Sequence, residues 1–298
     1  GRVGDAKGQA SALMALGLRH VDLGELGAAV EQLEASLAQH RAIGDLLGEA
    51  AVLNHLGVCR AHLGELDSAW PLFTEAMSIY GALQDRSGMA VALARLGWID
   101  QLKGRRGDAR RRYEESLTRA RELGFRELEG RTLAAAGQLS LEGGRLAEAW
   151  DIFETGLAVA EGIGSISVQS SNLLNLASVA CTQGHLADAE RTLREALGLS
   201  RSVGDRIRVT DSLLGLVEVA LCSGELARAR RYLDEGIEVG VEVGLAAAHA
   251  RGLRLLALLD LAGGGVETAR DAARSALEWA VRCGDPREHA YGLLVMAG

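Results

Sequence analysis

The sequence predicts an all-α solenoid of antiparallel helix pairs, and three observations support this fold class. The 298 residues include 38 glycines but only 2 prolines, a balance typical of many helices that end at glycine. The chain aligns with itself every 40 residues without an insertion. Each 40-residue row contains two stripes of apolar residues at helical spacing, so each row is expected to form two helices with one buried face each.

The first helix of each row is predicted from a leucine at position 13, counting every row from its first residue. In the second row the apolar stripe continues through Ala50, Leu56 and Gly57. The leucines of this position are Leu13, Leu53, Leu93, Leu133, Leu173, Leu213, Leu253 and Leu293.

A turn and a second helix are predicted from a glycine at position 24 and an alanine at position 29. The glycine can adopt the left-handed backbone that a short helix hairpin needs, and the alanine allows two helices to cross at close range. The glycines are Gly24, Gly64, Gly104, Gly144, Gly184, Gly224 and Gly264, and the alanines are Ala29, Ala69, Ala109, Ala149, Ala189, Ala229 and Ala269.

The junction between rows is predicted at positions 4 and 5, where glycine ends one helix and aspartate caps the next. The pairs are Gly4-Asp5, Gly44-Asp45, Gly204-Asp205 and Gly284-Asp285. Weaker caps are expected where the pair is altered, at Gln84-Asp85, Gly124-Phe125, Gly164-Ser165 and Gly244-Leu245.

The pattern within each row resembles the tetratricopeptide repeat (TPR). It has Leu-Gly at positions 16 and 17, glycine at 24, alanine at 29, a large residue such as Phe73 or Tyr113 at 33, and a small residue at 36. TPRs usually have a period of about 34 residues, whereas HEAT repeats share a period near 40 but lack this series. The resemblance implies one right-handed superhelical domain over residues 1–298. Its repeats are approximately 4–43, 44–83, 84–123, 124–163, 164–203, 204–243 and 244–283, with a partial repeat at 284–298.

The 40-residue form resembles the TPR arms of bacterial multidomain regulators, including signal-transduction ATPases with numerous domains (STAND). It is also similar to the TPR arrays of cytosolic scaffold proteins. The resemblance implies a protein or peptide partner, and the function predicted is the sensor or partner-binding arm of a cytosolic bacterial regulator. A free-standing scaffold or adaptor is the alternative, and an enzyme is a third class.

Both ends of the chain are expected to be cut from a longer protein. The opening "GRVGD" is similar to "RAIGD" at 41–45, which closes a second helix, and the chain stops at Gly298 before a turn glycine. Exposed apolar ends would favour self-association.

Composition and motifs exclude several classes. The net charge of −8 disfavours binding to nucleic acid. The sequence has no uninterrupted apolar run of about 18 residues, which argues against a membrane span. Four cysteines without CxxC spacing fit a reduced, cytoplasmic protein. Walker A, GxSxG and HExxH motifs are missing, so no cofactor and no catalytic residues are expected.

Two other groups have competing interpretations. His55, Cys59 and His62 have metal-ligand spacing, but position 19 is apolar in other rows, so Cys59 is predicted in the core and no metal is expected. The basic stretch from Lys103 to Arg112 is predicted to be a solvated face near Glu114 and Glu115, with an acidic partner as the alternative.

A ligand is expected on the concave face, which first helices line in TPR arrays. Trp98 is predicted to anchor it beside Arg131. The alternatives are that Trp98 only packs over a neighbouring first helix and that Arg131 only pairs with Glu127 one turn earlier. The four charges of the last two full rows could simply pair between neighbouring repeats, since Asp211 and Arg251 share a position; they are Asp211, Glu218, Arg251 and Arg254. The candidate ligand-binding residues are Asn54, Trp98, Arg131, Gln138, Leu174, Asn175 and Arg254, and those from Trp98 to Asn175 are expected to converge.

Overall fold

A computed structural model describes residues 2–23, 25–243, 246–283 and 286–297 of the chain. These residues form fifteen α-helices, and the described ranges contain no strand. The chain divides into two compact units, residues 1–139 and 140–298, with the division inside the seventh helix.

The first unit contains six helices and most of a seventh: α1 (Arg2–Asp22), α2 (Leu26–Ile43), α3 (Leu46–His62), α4 (Leu66–Ala82), α5 (Arg86–Leu102), α6 (Arg106–Glu122) and α7 (Arg126–Glu142). The second unit contains the end of α7 and eight more helices: α8 (Leu146–Gly162), α9 (Ile166–Thr182), α10 (Leu186–Ser202), α11 (Arg206–Cys222), α12 (Leu226–Val243), α13 (Ala246–Ala262), α14 (Val266–Cys283) and α15 (Pro286–Ala297).

The helices follow the predicted repeat. Within each unit, consecutive helices pack against each other, and first helices also contact the first helix of the next repeat. In the row predicted at 44–83, α3 and α4 are the first and second helices. Six helix pairs are formed within the two units of the described chain, and the all-α, TPR-like class is confirmed; the pairs are α1–α2, α3–α4, α5–α6, α9–α10, α11–α12 and α13–α14.

The turn glycines adopt the left-handed backbone expected of them. Gly64 has φ of 79° and Gly104 has φ of 72°, values that side chains with a Cβ rarely reach. Gly24 lies outside the described residues. Each turn therefore reverses the chain within a few residues and holds the two helices of a pair antiparallel.

Aspartate caps the first helices at three of the junctions. The side chains of Asp45, Asp85 and Asp205 accept hydrogen bonds from backbone N–H groups three residues later, whereas Ser165 caps α9 without a side-chain bond. The weaker cap predicted at 164–165 is confirmed, and the one predicted at Gln84-Asp85 is wrong because Asp85 bonds as the other aspartates do. The pairs at 244–245 and 284–285 lie outside the described residues.

The predicted junction at Gly4-Asp5 is wrong. Helix α1 begins at Arg2 and continues through both residues. A Gly-Asp pair therefore does not by itself end a helix, because glycine also adopts the helical backbone.

The alanines of position 29 are buried. Six of the seven are fully buried, and Ala269 is 5% exposed, as a helix crossing at this position requires. A larger side chain would separate the two helices of the pair.

Positions 17 and 33 are complementary in size. A Cβ added to Gly57 would lie 2.8 Å from the ring of Phe73, and one added to Gly97 would lie 2.9 Å from the ring of Tyr113. Both rings are buried because glycine leaves room for them. Where position 17 is larger, position 33 is smaller: Ala177 packs in the same core cluster as Leu193, and Ala257 as Ala273.

Gln84 breaks the glycine pattern at a junction. Its φ of 55° makes it the only described non-glycine residue with a left-handed backbone, while Gly44 has φ of 68° at the equivalent position. The side chain costs free energy in this conformation because Cβ approaches the following carbonyl oxygen.

Replacing Gln84 with glycine is expected to raise the free energy of unfolding by about 0.5–1 kcal/mol, since relief of strain exceeds the entropy of an unfolded glycine. Urea denaturation checks this value. The reverse change, Gly44→Gln, serves as the control and should lower stability by about 1 kcal/mol. A less stable Gln84→Gly variant would contradict the strain argument.

Candidate functional site

The first unit contains a cavity of about 230 Å³ between α5, α6 and α7. Its wall is largely apolar, with three charged side chains on α5 and α7. The lining residues are Val91, Ala94, Arg95, Trp98, Tyr113, Phe125, Glu127, Leu128, Arg131, Thr132 and Ala135.

The structure brings Trp98 and Arg131 together in this wall, but both also make contacts within the fold. The Arg131 guanidinium lies 2.9 Å from the Glu127 carboxylate, as the local alternative predicted. The Trp98 ring packs at 5.2 Å from the ring of His62 on the preceding first helix. An anchoring role for Trp98 and Arg131 therefore stays a prediction.

Arg95 is the side chain that sequence reasoning missed. It is half-buried in the cavity wall, and no carboxylate among the described residues pairs with it. Burial lowers the pKa of Arg95, and the nearby Arg131 lowers it further. Arg95 occupies position 15 of its row, as Asn175 does, and Asn175 lines the cavity of the second unit. A polar residue at position 15 could therefore have identified Arg95 from the sequence.

The second unit contains a cavity of about 510 Å³. Helices α9, α11 and α13 supply all of its lining except Leu193, so first helices of three successive repeats form the wall. The lining residues are Ser171, Leu174, Asn175, Ala177, Ser178, Cys181, Thr182, Leu193, Arg208, Asp211, Gly215, Glu218 and Arg251.

Charges of both signs face this second cavity. Arg208 donates a hydrogen bond to the Ser171 hydroxyl at 2.9 Å, and Arg251 lies 3.1 Å from Glu218. Glu218 pairs with both Arg251 and Arg254 of the next repeat, as the predicted pairing between neighbouring repeats requires. Asp211, the fourth charge of that prediction, makes no ion pair or hydrogen bond with any described residue. Burial raises the pKa of Asp211, against the opposing effect of the arginines.

Arg254 connects three first helices. Its Nε lies 2.7 Å from Glu288 on α15, a second nitrogen lies 3.2 Å from Glu218 on α11, and its guanidinium stacks 5.0 Å from the Tyr291 ring. Asn54 is buried and donates a hydrogen bond to the Tyr80 hydroxyl at 3.0 Å. The side chains of Asn54 and Arg254 are thus already bonded within the fold.

The remaining candidates are divided between the units. Leu174 and Asn175 line the second cavity, and half-buried Gln138 lines neither cavity. Trp98, Arg131 and Gln138 belong to the first unit, so the predicted convergence of all five residues stays a prediction.

Cys59 is a core residue, 1% exposed, as position 19 predicted. Among the described residues no group of three or more His, Cys, Asp or Glu side chains is placed to hold a metal ion. In the same part of the chain, no helix combines the length and apolarity needed to span a bilayer.

The basic stretch from Lys103 to Arg112 pairs with carboxylates. Lys103 lies 2.6 Å from Asp67, and Arg112 lies 2.9 Å from buried Asp100. Arg112 also lies over the ring of Trp70, at 4.6 Å from its centroid. These contacts support the interpretation of the stretch as a neutralised helix face.

The thiols provide a probe of the second cavity. Burial raises the pKa of the half-buried Cys181 thiol to about 11, whereas the Cys222 thiol is exposed. Since the thiolate is the nucleophile, iodoacetamide at pH 8 should alkylate Cys222 at least about tenfold faster than Cys181. Mass spectrometry of the digested protein measures both rates, denatured protein is the control, and equal rates in the folded protein would contradict the burial of Cys181.

Residues 48–122 match the sequence profile of the tetratricopeptide repeat family. No curated protein matches the chain. The resemblance found in the sequence is therefore confirmed by an independent sequence comparison over these residues.

Several solved structures share the fold of the chain. The Rap conjugation gene regulator of plasmid pLS20, in complex with the Phr* peptide, superposes with a TM-score of 0.71 at 14% identity, over 91% of this chain and 75% of its own. A STAND protein with a TPR sensor from Pyrococcus horikoshii gives 0.63 at 16% identity, over 97% and 45%. Aspartyl phosphate phosphatase F from Bacillus subtilis gives 0.61 at 14% identity, over 89% and 74%. At these identities the likeness shows the fold.

Proposed function

We propose that the chain is a non-enzymatic protein-interaction module that binds an extended peptide segment in the cavity of the second unit. One observation supports this most: first helices of three successive repeats line the cavity with polar groups that the fold does not use. The Asn175 amide and the Asp211 carboxylate make no hydrogen bond with described residues.

The size and chemistry of the cavity fit a peptide. A volume of about 510 Å³ lies in the range of ligand pockets, about 300–1,000 Å³. A side-chain amide such as that of Asn175 both donates and accepts, so it can bond the N–H and C=O of one peptide unit. Asp211 and Arg208 offer charges of opposite sign, which would select the side chains of the peptide and fix its register.

We further propose that the module is the sensor or partner-binding arm of a cytosolic bacterial regulator. Proteins of the same fold include a Rap regulator bound to a Phr* peptide and a STAND protein with a TPR sensor, which supports this role. A free-standing scaffold or adaptor is the second candidate. An NTPase domain in the same open reading frame would favour the regulator.

The proposed set of peptide contacts keeps Leu174 and Asn175, which line the cavity of the second unit. Asn54 and Arg254 leave the set because their side chains are buried and bonded within the fold. In this proposal the net charge of −8 makes nucleic acid an unfavourable partner.

Selection from a phage-displayed library of random peptides tests the proposal. The unmodified chain should enrich a consensus, and Ser178→Trp should abolish binding of the selected peptide because the indole would fill the cavity. Thr155→Trp on α8 is the matched control, since Thr155 is exposed and outside the lining, and it should bind normally. Equal binding by both variants, or no consensus from the unmodified chain, would rule out this cavity as the peptide site.

A further inference from the structure

The cavity of the first unit holds a positive charge that the fold does not balance. Arg95 stays protonated, because an arginine side chain keeps its proton in proteins, and no described carboxylate pairs with it. Arg131 is already neutralised by Glu127 at 2.9 Å. The two guanidiniums and one carboxylate of the wall thus leave one positive charge in the cavity.

The neighbouring histidines cannot supply the missing negative charge, because an imidazole side chain is either neutral or positive. Burial lowers the pKa values of His55 and His62, and the Arg95 charge lowers them further, which favours the neutral rings. A half-buried charge without a counter-ion disfavours the folded state, which makes its presence in a largely apolar wall unusual.

A second polar group of the same wall also lacks a partner. Thr132 is only 2% exposed, and its hydroxyl oxygen is buried without a hydrogen bond. Most buried hydroxyl groups are bonded to protein or water, so this one is available to a ligand. Arg95 on α5 and Thr132 on α7 approach the cavity from different helices, which makes the two observations independent.

We infer that this cavity binds an organic monocarboxylate that carries one aromatic or branched apolar group. Arg95 pairs with the carboxylate, the Thr132 hydroxyl donates a hydrogen bond to it, and the apolar group packs against Trp98 and Phe125. This inference concerns the first unit alone and does not depend on peptide binding in the second.

The charges of the wall select a monoanion over a phosphate. One unmatched guanidinium balances one negative charge, and the Glu127 carboxylate in the same wall would repel a second. The volume of about 230 Å³ suits a phenyl-sized group with a carboxylate.

Phenylacetate is a suitable probe, with phenylacetamide as the neutral analogue and phenyl phosphate as the dianion. Calorimetric titration of the whole chain should show saturable binding of phenylacetate, with the two analogues at least about tenfold weaker. Phenylacetate should also raise the Tm, because a ligand that binds the folded state stabilises it. Equal binding of phenylacetamide would overturn the inference.

Variants separate a ligand site from a structural role. Arg95→Met should abolish phenylacetate binding and raise the Tm of the ligand-free protein, because an unbalanced charge is replaced by an apolar chain of similar length. Thr132→Val should weaken binding by about tenfold and leave the ligand-free Tm unchanged, since its hydroxyl has no partner to lose.

Arg86→Met is the matched control, because Arg86 lies on the same helix, is exposed and pairs with Glu122. It should bind phenylacetate normally without a higher Tm. If Arg95→Met binds phenylacetate like the unmodified chain, or has a lower ligand-free Tm, the inference is wrong.

A further pair of probes identifies the source of the carboxylate. N-acetyl-glycyl-phenylalanine and its C-terminal amide differ only in that the amide replaces the charged carboxylate with a neutral group. The amide should therefore again bind at least about tenfold more weakly. A peptide acid that binds more tightly than phenylacetate assigns the site to a chain terminus, and the reverse order assigns it to a free acid. A peptide amide as tight as its acid would contradict the role of Arg95.

Discussion

The Phe73→Ala variant is expected to lose about 3–5 kcal/mol of the free energy of unfolding. The Phe73 ring is fully buried and lies against the glycine of position 17 on the paired helix. Alanine would remove the ring and leave a cavity that the helix backbone cannot fill. Because a solenoid is held by contacts between neighbouring repeats, the loss should be local and broaden the unfolding transition.

Urea denaturation followed by circular dichroism measures this loss, and a double-mutant cycle tests its cause. Gly57→Ala alone should destabilise by about 1–3 kcal/mol, because the new Cβ would lie 2.8 Å from the Phe73 ring. Combining Gly57→Ala with Phe73→Leu reproduces the pair Ala177 and Leu193 found in another repeat. This double variant should be more stable than the sum of its single changes predicts, and strict additivity would refute size complementarity.

The Arg254→Ala variant is expected to lose about 3–5 kcal/mol, a cost typical of breaking a buried ion pair. The Arg254 and Glu288 side chains are only 10% and 11% exposed, so removing the guanidinium leaves a buried carboxylate without the cation 2.7 Å away. Helix α15 should lose protection from hydrogen exchange before the rest of the second unit, because Arg254 joins α15 to α13.

Arg270→Ala is the matched control for this change. Arg270 is 51% exposed and pairs with Glu267 one turn earlier, so its removal should alter stability by less than about 0.5 kcal/mol. Similar losses in the two variants would show that the Arg254 network contributes no more than a surface pair.

The repeat made most of the fold predictable from sequence. A 40-residue register with fixed leucine, glycine and alanine positions placed fifteen helices, because each position has one packing role in every row. The register failed at Gly4-Asp5, where α1 continues through both residues. A Gly-Asp pair does not by itself end a helix, because glycine also adopts the helical backbone.

The functional site was less predictable because it depends on which side chains meet. Arg254 and Arg95 are both arginines of first helices, yet Arg254 contacts two carboxylates and an aromatic ring, while Arg95 pairs with no carboxylate of the described chain. The sequence does not show which side chains lie close together in the fold, so it cannot distinguish the two arginines. Trp98 stood out in the sequence as an aromatic residue, and the structure adds that it packs beside His62 and shares a cavity wall with Arg95.

The paired sizes at positions 17 and 33 restrict how such an array can be rearranged by recombination. A duplication that copies a whole row copies position 17 together with position 33, so the two helices of the added hairpin still pack against each other. A crossover inside a hairpin would join a helix bearing Val217 to one bearing Phe73, and two bulky residues would then meet where Gly57 now makes room. Viable breakpoints should therefore fall at the junctions between hairpins, and chimaeras cut there should fold more often than chimaeras cut at the turn glycines.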